Sequence, residues 1–477
     1  MREANAGFQL AVVGAGPGGM AAATTAAELG VEVVLLDENA AIGGQIFRQP
    51  PMALGSSVPR LPDYAAEIFT RARALGVAHR PGRVVWGFAD GNQLLASGPT
   101  GVERYTADHV ILATGAYDLP VPMPGWTLPG VLTAGGAQTL LKAQRVRPGN
   151  RVLVAGAGPL ILLLACQLLD AGAEVVAVLD VSPSSERLKA GINLLRLWPM
   201  AREGLGFLWR LARRRVPLLS GWSVVRILGD SRVTGAVVAP VDASGHPRRA
   251  GARRYEADTV CLGYGFVPSV ELAAVRGCAL EHAPFREGWV PRRTEALETT
   301  VSNVFAVGDC AGISGARVDL EEGRLAALEV ARRMGRISDR EAEQRLEAAR
   351  AALGRLRPLQ RYLETAYRPR PGLMELLEDS VVVCRCEDVS AGRITNEIQQ
   401  GARSLQEVKS VCRVGMGYCQ GRMCLPTVTG MLGAQAGLEV DAIGYPSPRP
   451  PVRPCTIDQL SEPGDMGADI EPVTANR

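Results

Sequence analysis

The sequence predicts an α/β protein made of two Rossmann-like dinucleotide-binding domains, a helical connector and a small C-terminal domain organised around cysteines. Three observations predict it. Strand, glycine turn, helix and strand follow one another between Phe8 and Glu38. The same order returns between Asn150 and Asp180, and paired cysteines crowd the stretch from Cys384 to Cys424. A β-α-β order implies parallel strands joined by a helical crossover, and its return implies two such modules.

Composition bounds the rest. A chain of 477 residues is long for one hydrophobic core and suggests about two to four domains. Hydrophobic content of 47% and charged content of 21% are those of an ordinary globular protein, and a net charge of +3 nominates no partner. The basic runs Arg210 to Pro217 and His246 to Glu256 are short and lack interleaved aromatics, so they read as solvated surface and no nucleic-acid partner is expected. The first residues show no secretory signal, and a cytoplasmic location is expected. Ten cysteines there point to metal or redox chemistry rather than disulfides. The apolar run Val152 to Leu169 contains G-x-G-P and reads as buried strand, turn and helix, so no transmembrane segment is expected.

In the first module "FQLAVVGAG" is a strand, "GGMAAATTAAELG" a small-residue helix closed by Gly30, and "VEVVLLDE" a second strand. Gly14, Gly16 and Gly19 form G-x-G-x-x-G between strand and helix. Gly14 makes the tight turn, Gly16 lets backbone approach a pyrophosphate, and Gly19 allows close helix packing. Asp37 ends the second strand, where a carboxylate can accept a ribose hydroxyl. "ADHVILATGAYDLPVPMPG" is then a strand leading into a domain crossing.

The second module keeps Gly156 and Gly158 but has Ile161 at the third glycine position, which should hold its helix further from the strand. Asp180 follows its second strand, and no arginine cluster stands nearby. NAD or another adenine nucleotide is therefore favoured there over NADP, against the competing reading of an empty domain that only packs. "YEADTVCLGYGFVPS" and "VSNVFAVGDCAG" are further strands ending in turns, after which the charged stretch Ser338 to Leu356 and the residues following it form a helical connector. No C-x-x-C dithiol exists, and Cys166, Cys261, Cys278 and Cys310 read as small buried hydrophobes.

Cys384 and Cys386, two apart on an extended segment, can face one centre, and Cys419 and Cys424 give a second pair. Gly415, Gly417 and Gly421 allow the backbone to curve N–H groups toward sulfur, and a helix beginning next to Cys424 favours a negative centre. The C-x-C spacing favours a [2Fe–2S] cluster over zinc, with both left open at this point. The histidines His79, His109, His246 and His282 lie in separate segments, and no catalytic residue is nominated. Substrate oxidation is expected elsewhere. The tail "YPSPRPPVRP" is expected to lie as an arm along another surface.

The segments "GGQIFR", "ILATGA" and "VFAVGDCAG" together resemble the two-dinucleotide-domain flavoproteins, a group that includes thioredoxin reductase. The resemblance implies FAD in the first module. Gly44 and Gln45 would sit near the isoalloxazine, Thr114 and Gly115 would close the FAD domain, and Asp309 would bond the ribityl or phosphate region. "CRCEDV" with "VKSVCRVGMGYCQGRMC" resembles the BFD-like [2Fe–2S] domain. That resemblance implies Cys384, Cys386, Cys419 and Cys424 as ligands and leaves Cys412 outside the set.

Over nearly its full length the chain resembles the larger subunit of heteromeric dye-linked dehydrogenases, such as opine oxidases, D-hydroxyproline dehydrogenase and hydrogen cyanide synthase. This implies three partners: an electron acceptor, an amino-acid-oxidase-like FAD subunit, and a small [2Fe–2S] ferredoxin-like subunit. Contact with the inner membrane would be peripheral and only through the complex. The alternatives are a self-sufficient NAD(P)H-dependent reductase of a ferredoxin-like protein, and a zinc domain that holds subunits together. The expected organisation is a discontinuous FAD-binding domain (1–118 and 283–336), a second nucleotide-binding domain (119–282), a connector (337–378), the cluster domain (379–440) and a Pro-rich tail (441–477).

Overall fold

In a computed structural model, residues 5–48, 50, 62–99, 101–194, 197–283, 288–368 and 370–460 are described. The first module forms a sheet in the order Ala78–Pro81, Val33–Asp37, Asn5–Val13, Gly101–Leu112, Gln93–Gly98, Val84–Phe88. Its central strands run parallel, as the helical crossover requires. Val304–Ala306 pairs in parallel beside the end of Gly101–Leu112, so residues far along the chain complete the first sheet. Leu10, Val12, Leu35 and Ile111 are fully or almost fully buried on the face covered by helices Pro17–Glu28 and Ala316–Arg333, while Ala11, Val34 and Val110 on the other face pack with Val85, Leu94 and Leu272.

The second sheet is parallel in the order Leu218–Ser220, Glu174–Asp180, Arg151–Gly156, Thr259–Gly263, Val131–Thr133. Ile161 is wholly buried in the core between its helix and the second sheet, beside Val152, Val154 and Cys261.

The return to the first domain comes earlier than the expected 282/283 boundary. Leu272, Ala273 and Cys278 pack in one core with Val85, Leu94 and Val304, and the boundary itself would cut a hairpin of Leu280–Ala283 with Gly288–Pro291. Apolar side chains follow the core they can fill, and Pro/Gly content did not mark this crossing.

The connector is one helix, Asp339–Ala366, capped by Ser338 and continuous through Pro358 at the loss of one intrahelical bond. The C-terminal domain packs a Val382–Cys384 and Val389–Ser390 hairpin against helices Ala391–Gln399, Leu405–Cys412 and Leu425–Ala436 around Val383, Ile394, Val408, Val428 and Leu432. The proline-rich arm lies on the first domain, where Val452 N–H donates to Trp86 O at 2.9 Å. Residues 461–477 of the expected tail lie outside the described residues. Among the described residues no helix is long and apolar enough to cross a membrane.

Candidate functional site

The first glycine loop leaves an open space at a helix N-terminus that could seat a phosphate. Gly14 has φ +102°, and a Cβ there would overlap Ala113 O. At Gly19 an added Cβ would strike Gly14 O. Gly16, by contrast, has no heavy atom within 4 Å of where its Cβ would be. That open space lies at the N-terminus of Pro17–Glu28, which no side chain caps, so first-turn N–H groups and the positive dipole end face it. Asp37, 5% exposed, accepts Ala15 N–H at 2.5 Å and Asn39 N–H at 2.7 Å, which fixes its carboxylate beside the loop.

The other residues expected at the flavin gather from turns that follow separate strands. Thr114 Oγ1 donates to Ser269 O at 2.7 Å, and Gly115 accepts Ser269 N–H at 2.9 Å with its own φ at +68°. Asp309 accepts from Ser314 N–H at 3.0 Å and Gly315 N–H at 3.4 Å. Burial nonetheless raises it above the ordinary carboxylate range, with Glu322 adding to the shift. Gly44 bends back against the first loop, where its Cβ would stand 2.7 Å from Gly16 Cα, and brings Gln45 with it.

Two features here had no sequence signal. Lys142 reaches from the second domain to donate to Ile46 O at 3.2 Å, and burial, with Arg48 nearby, lowers it to about 8. Arg293 forms a buried pair with Glu322 at 2.9 Å, and Glu322 also accepts Gly308 N–H at 2.8 Å, bracing the turn that carries Asp309. Neither has a motif, because each pairs residues far apart in the chain. The open glycine loop, the uncapped helix end and the buried acids fit FAD.

The second module differs at the decisive glycine. A Cβ on Gly158 would lie 2.5 Å from Cε1 and 2.6 Å from Cζ of Tyr367, so that ring packs directly on the residue where backbone should approach a pyrophosphate. Tyr367 is 6% exposed and meets Phe266 edge-on at 5.5 Å. Arg370, next along the connector, pairs with Glu186 at 2.5 Å. Asp180 accepts Ser182 N–H at 2.8 Å. Gly156, Gly158 and Asp180 are thus in the expected places, but the chain's own connector covers the glycine turn. The expectation of NAD or another adenine nucleotide there meets an aromatic ring where the phosphates would go.

The cysteine loop brings four thiols together in two pairs. Cys384 ends the Val382–Cys384 strand, but Cys386 lies in the following turn rather than on an extended segment, and the turn is tight enough for Asp388 to take φ +51°. It is this turn, and not strand alternation, that presents the C-x-C pair. A hydrogen bond from Cys424 chiefly lowers Cys384 to about 5, aided by the N–H groups of Gly415, Glu387 and Cys386, while Cys424 is correspondingly raised. The Cys419 backbone favours the Cys386 thiolate, but burial and the neighbouring Cys419 and Cys384 sulfurs leave Cys386 raised. A Cβ on Gly417 would overlap Cys386 Cβ, so only glycine lets the two loops close.

Cys412 turns back on its own helix, with Sγ 3.0 Å from Val408 O. Among the described residues no three thiol, imidazole or carboxylate groups stand at single-ion spacing. Two pairs of thiols with surrounding N–H donors are the donor set a two-iron cluster takes. The isolated Cys166, Cys261, Cys278 and Cys310 are buried. The four histidines remain apart; His246 meets Asp242 and His282 meets Trp289 edge-on.

Comparison with known proteins agrees with this geometry. Residues 8–335 match the family model described as pyridine nucleotide-disulphide oxidoreductase, and residues 382–434 match the BFD-like [2Fe-2S] binding domain. Hydrogen cyanide synthase subunit HcnB of Pseudomonas aeruginosa is 34% identical over 461 residues, covering 95% of this chain and 98% of that one. An opine oxidase subunit of Agrobacterium tumefaciens is 32% identical over 98% of this chain and 94% of its own. Among solved structures, L-proline dehydrogenase from P. horikoshii shares the fold with a TM-score of 0.67 at 19% identity, over 96% of this chain and 80% of that one. Bound flavin takes two electrons as a hydride and a [2Fe–2S] cluster passes them singly. The chain belongs to the pyridine nucleotide-disulphide oxidoreductase family, as an FAD-dependent oxidoreductase that carries a BFD-like [2Fe–2S] domain behind the flavoprotein fold.

Proposed function

We propose that this chain is the electron-relaying subunit of a heteromeric dehydrogenase acting on a CH–NH or CH–NH2 donor, an amino or imino acid of the opine, D-hydroxyproline or glycine type. An amino-acid-oxidase-like flavoprotein subunit removes the hydride, and a small ferredoxin-like subunit or another acceptor takes the electrons onward. In this chain Gly14, Gly16, Gly19, Asp37, Gly44, Gln45, Thr114, Gly115 and Asp309 serve FAD. Cys384, Cys386, Cys419 and Cys424 hold the cluster.

The observation that carries the reading is Tyr367 on Gly158: with the second glycine turn covered, reducing equivalents must come from a partner rather than from a nicotinamide nucleotide. Relatives named as subunits of hydrogen cyanide synthase and opine oxidase support a partner. The test is anaerobic mixing of the purified chain with NADH and NADPH, followed by the same chain co-purified with its partner and offered glycine, octopine, nopaline and D-hydroxyproline. No flavin bleaching by either nucleotide, and bleaching by one of the donors only in the complex, is expected. Rapid bleaching of the single chain by NADH overturns the reading.

A further inference from the structure

One buried charge pair ties the loop between the candidate cluster ligands to the flavin-binding segment. Arg422 stands between Cys419 and Cys424, and its side chain and that of Glu271 are each 9% exposed. Arg422 Nε lies 3.0 Å from Glu271 Oε1. Its N–H is not aligned for a hydrogen bond, so this contact acts through charge. The other guanidinium nitrogens do donate. Nη1 reaches Cys419 O at 3.3 Å and Gln420 Oε1 at 3.1 Å, and Nη2 reaches Val452 O at 2.6 Å in the proline-rich arm.

On the other side, Ser269 Oγ donates to Glu271 Oε2 at 3.0 Å, and Tyr117 Oη to Oε1 at 3.4 Å. Ser269 is in turn bonded through its backbone to Gly115 and through its carbonyl to the Thr114 hydroxyl. A continuous polar chain therefore runs from the carbonyl of a candidate ligand, Cys419, to the segment that closes the flavin site. Arginine suits the task because its fixed fork holds several acceptors at once and its charge is permanent. A pair buried this deeply is weak evidence for stability, since apolar side chains could fill the same space, and its best-attested use is to fix register.

We propose that Arg422 and Glu271 are positioning residues that seat the cluster loop on the Thr114–Gly115 segment and so set the coupling between flavin and cluster. Electron transfer falls off exponentially with separation, so a small shift of this loop is read directly as a rate. In each transfer one electron leaves the reduced flavin and one enters the oxidised cluster; the pair itself gives up neither proton nor bond. The inference rests on the reading that flavin and cluster share this chain. FAD, iron and labile sulfide content of the wild-type protein, measured first, tests that reading separately.

The experiment is laser-flash reduction of the flavin by a deazaflavin photoreductant. Cluster reduction is followed in the phase whose rate is independent of protein concentration. Glu271→Gln, which changes no residue of the cysteine loop itself, is expected to slow this phase by about tenfold or more with iron, sulfide and FAD content unchanged, on the order of what a misplacement of about 1 Å costs a positioned reaction. Glu271→Asp should restore much of the rate. The double variant Glu271→Gln/Arg422→Met should be no slower than the slower single variant, since both remove one link. A wild-type rate in Glu271→Gln overturns the proposal. A loss that only tracks missing iron in that variant also overturns it, as do fully additive effects in the double variant.

Discussion

Asp37 holds the Ala15 N–H inside the glycine loop, and the proposed FAD site gives the same carboxylate a ribose hydroxyl as a second task. Asp37→Ala is expected to lose FAD, seen as a fall in the flavin-to-protein absorbance ratio. It should also cost about 1–3 kcal/mol of stability through the backbone N–H left unpaired, seen in denaturant titration. The acid was legible from its place after the second strand, but its grip on Ala15 was not, since a backbone partner leaves no mark in the sequence. Lys142 was not legible at all: one lysine in "TLLKAQ" has no pattern, and the fold alone sets it, half-buried, against Ile46 O. Burial lowers it from 10.5 to about 8, so between those values the unfolded chain binds more protons and stability rises with pH. Pulse acylation of the protein at a series of pH values, read by mass spectrometry on the Lys142 peptide, should show a midpoint near 8. A midpoint near the ordinary lysine value would contradict the burial, and Lys142→Met should remove the corresponding rise in stability.

At the scale of elements, two glycine turns with nearly the same sequence have opposite fates. An Ala at Gly16 meets nothing of the protein within 4 Å, so Gly16→Ala should fold almost as well as wild type while losing FAD, because the methyl takes the pyrophosphate's place. An Ala at Gly158, at φ +73°, would meet the Tyr367 ring at 2.5 Å. Gly158→Ala should therefore leave FAD content intact and destabilise the fold by about 1–3 kcal/mol. Melting curves with flavin quantitation for both variants check the pair, and equal behaviour would refute the distinction. Strand–turn–helix periodicity was readable in both modules. The Tyr367 cover was not, because the ring comes from a connector whose sequence shows helical charge patterning and nothing of where it docks. The cysteine hairpin shows the same limit: C-x-C spacing signalled a shared centre, while the turn that presents Cys386 depends on how Gly417 lets a second loop approach.

For the whole molecule, the proline-rich arm acts as a strap. Gln420 and Arg422 of the cluster loop bond the carbonyls of Pro451 and Val452, and Val452 N–H bonds Trp86 of the first sheet. Removing residues 444–477 should free the cluster domain to unfold as a separate, lower-temperature calorimetric transition while the flavin fold keeps its own. A single unchanged transition would show the strap to be idle. By itself the sequence determined the local matters: two strand–turn–helix modules of dinucleotide type, a glycine loop followed by Asp37 at the end of the second strand, and four thiols in two close pairs. These follow from periodicity, glycine spacing and side-chain chemistry, which act over a few residues and are therefore written in order along the chain. Only the tertiary structure decided that Tyr367 closes the second module, that the return crossing precedes residue 282, and that Arg422 reaches Glu271. Each of those contacts joins segments far apart in sequence, and it forms because buried surface and buried charge must find complements that no local pattern names.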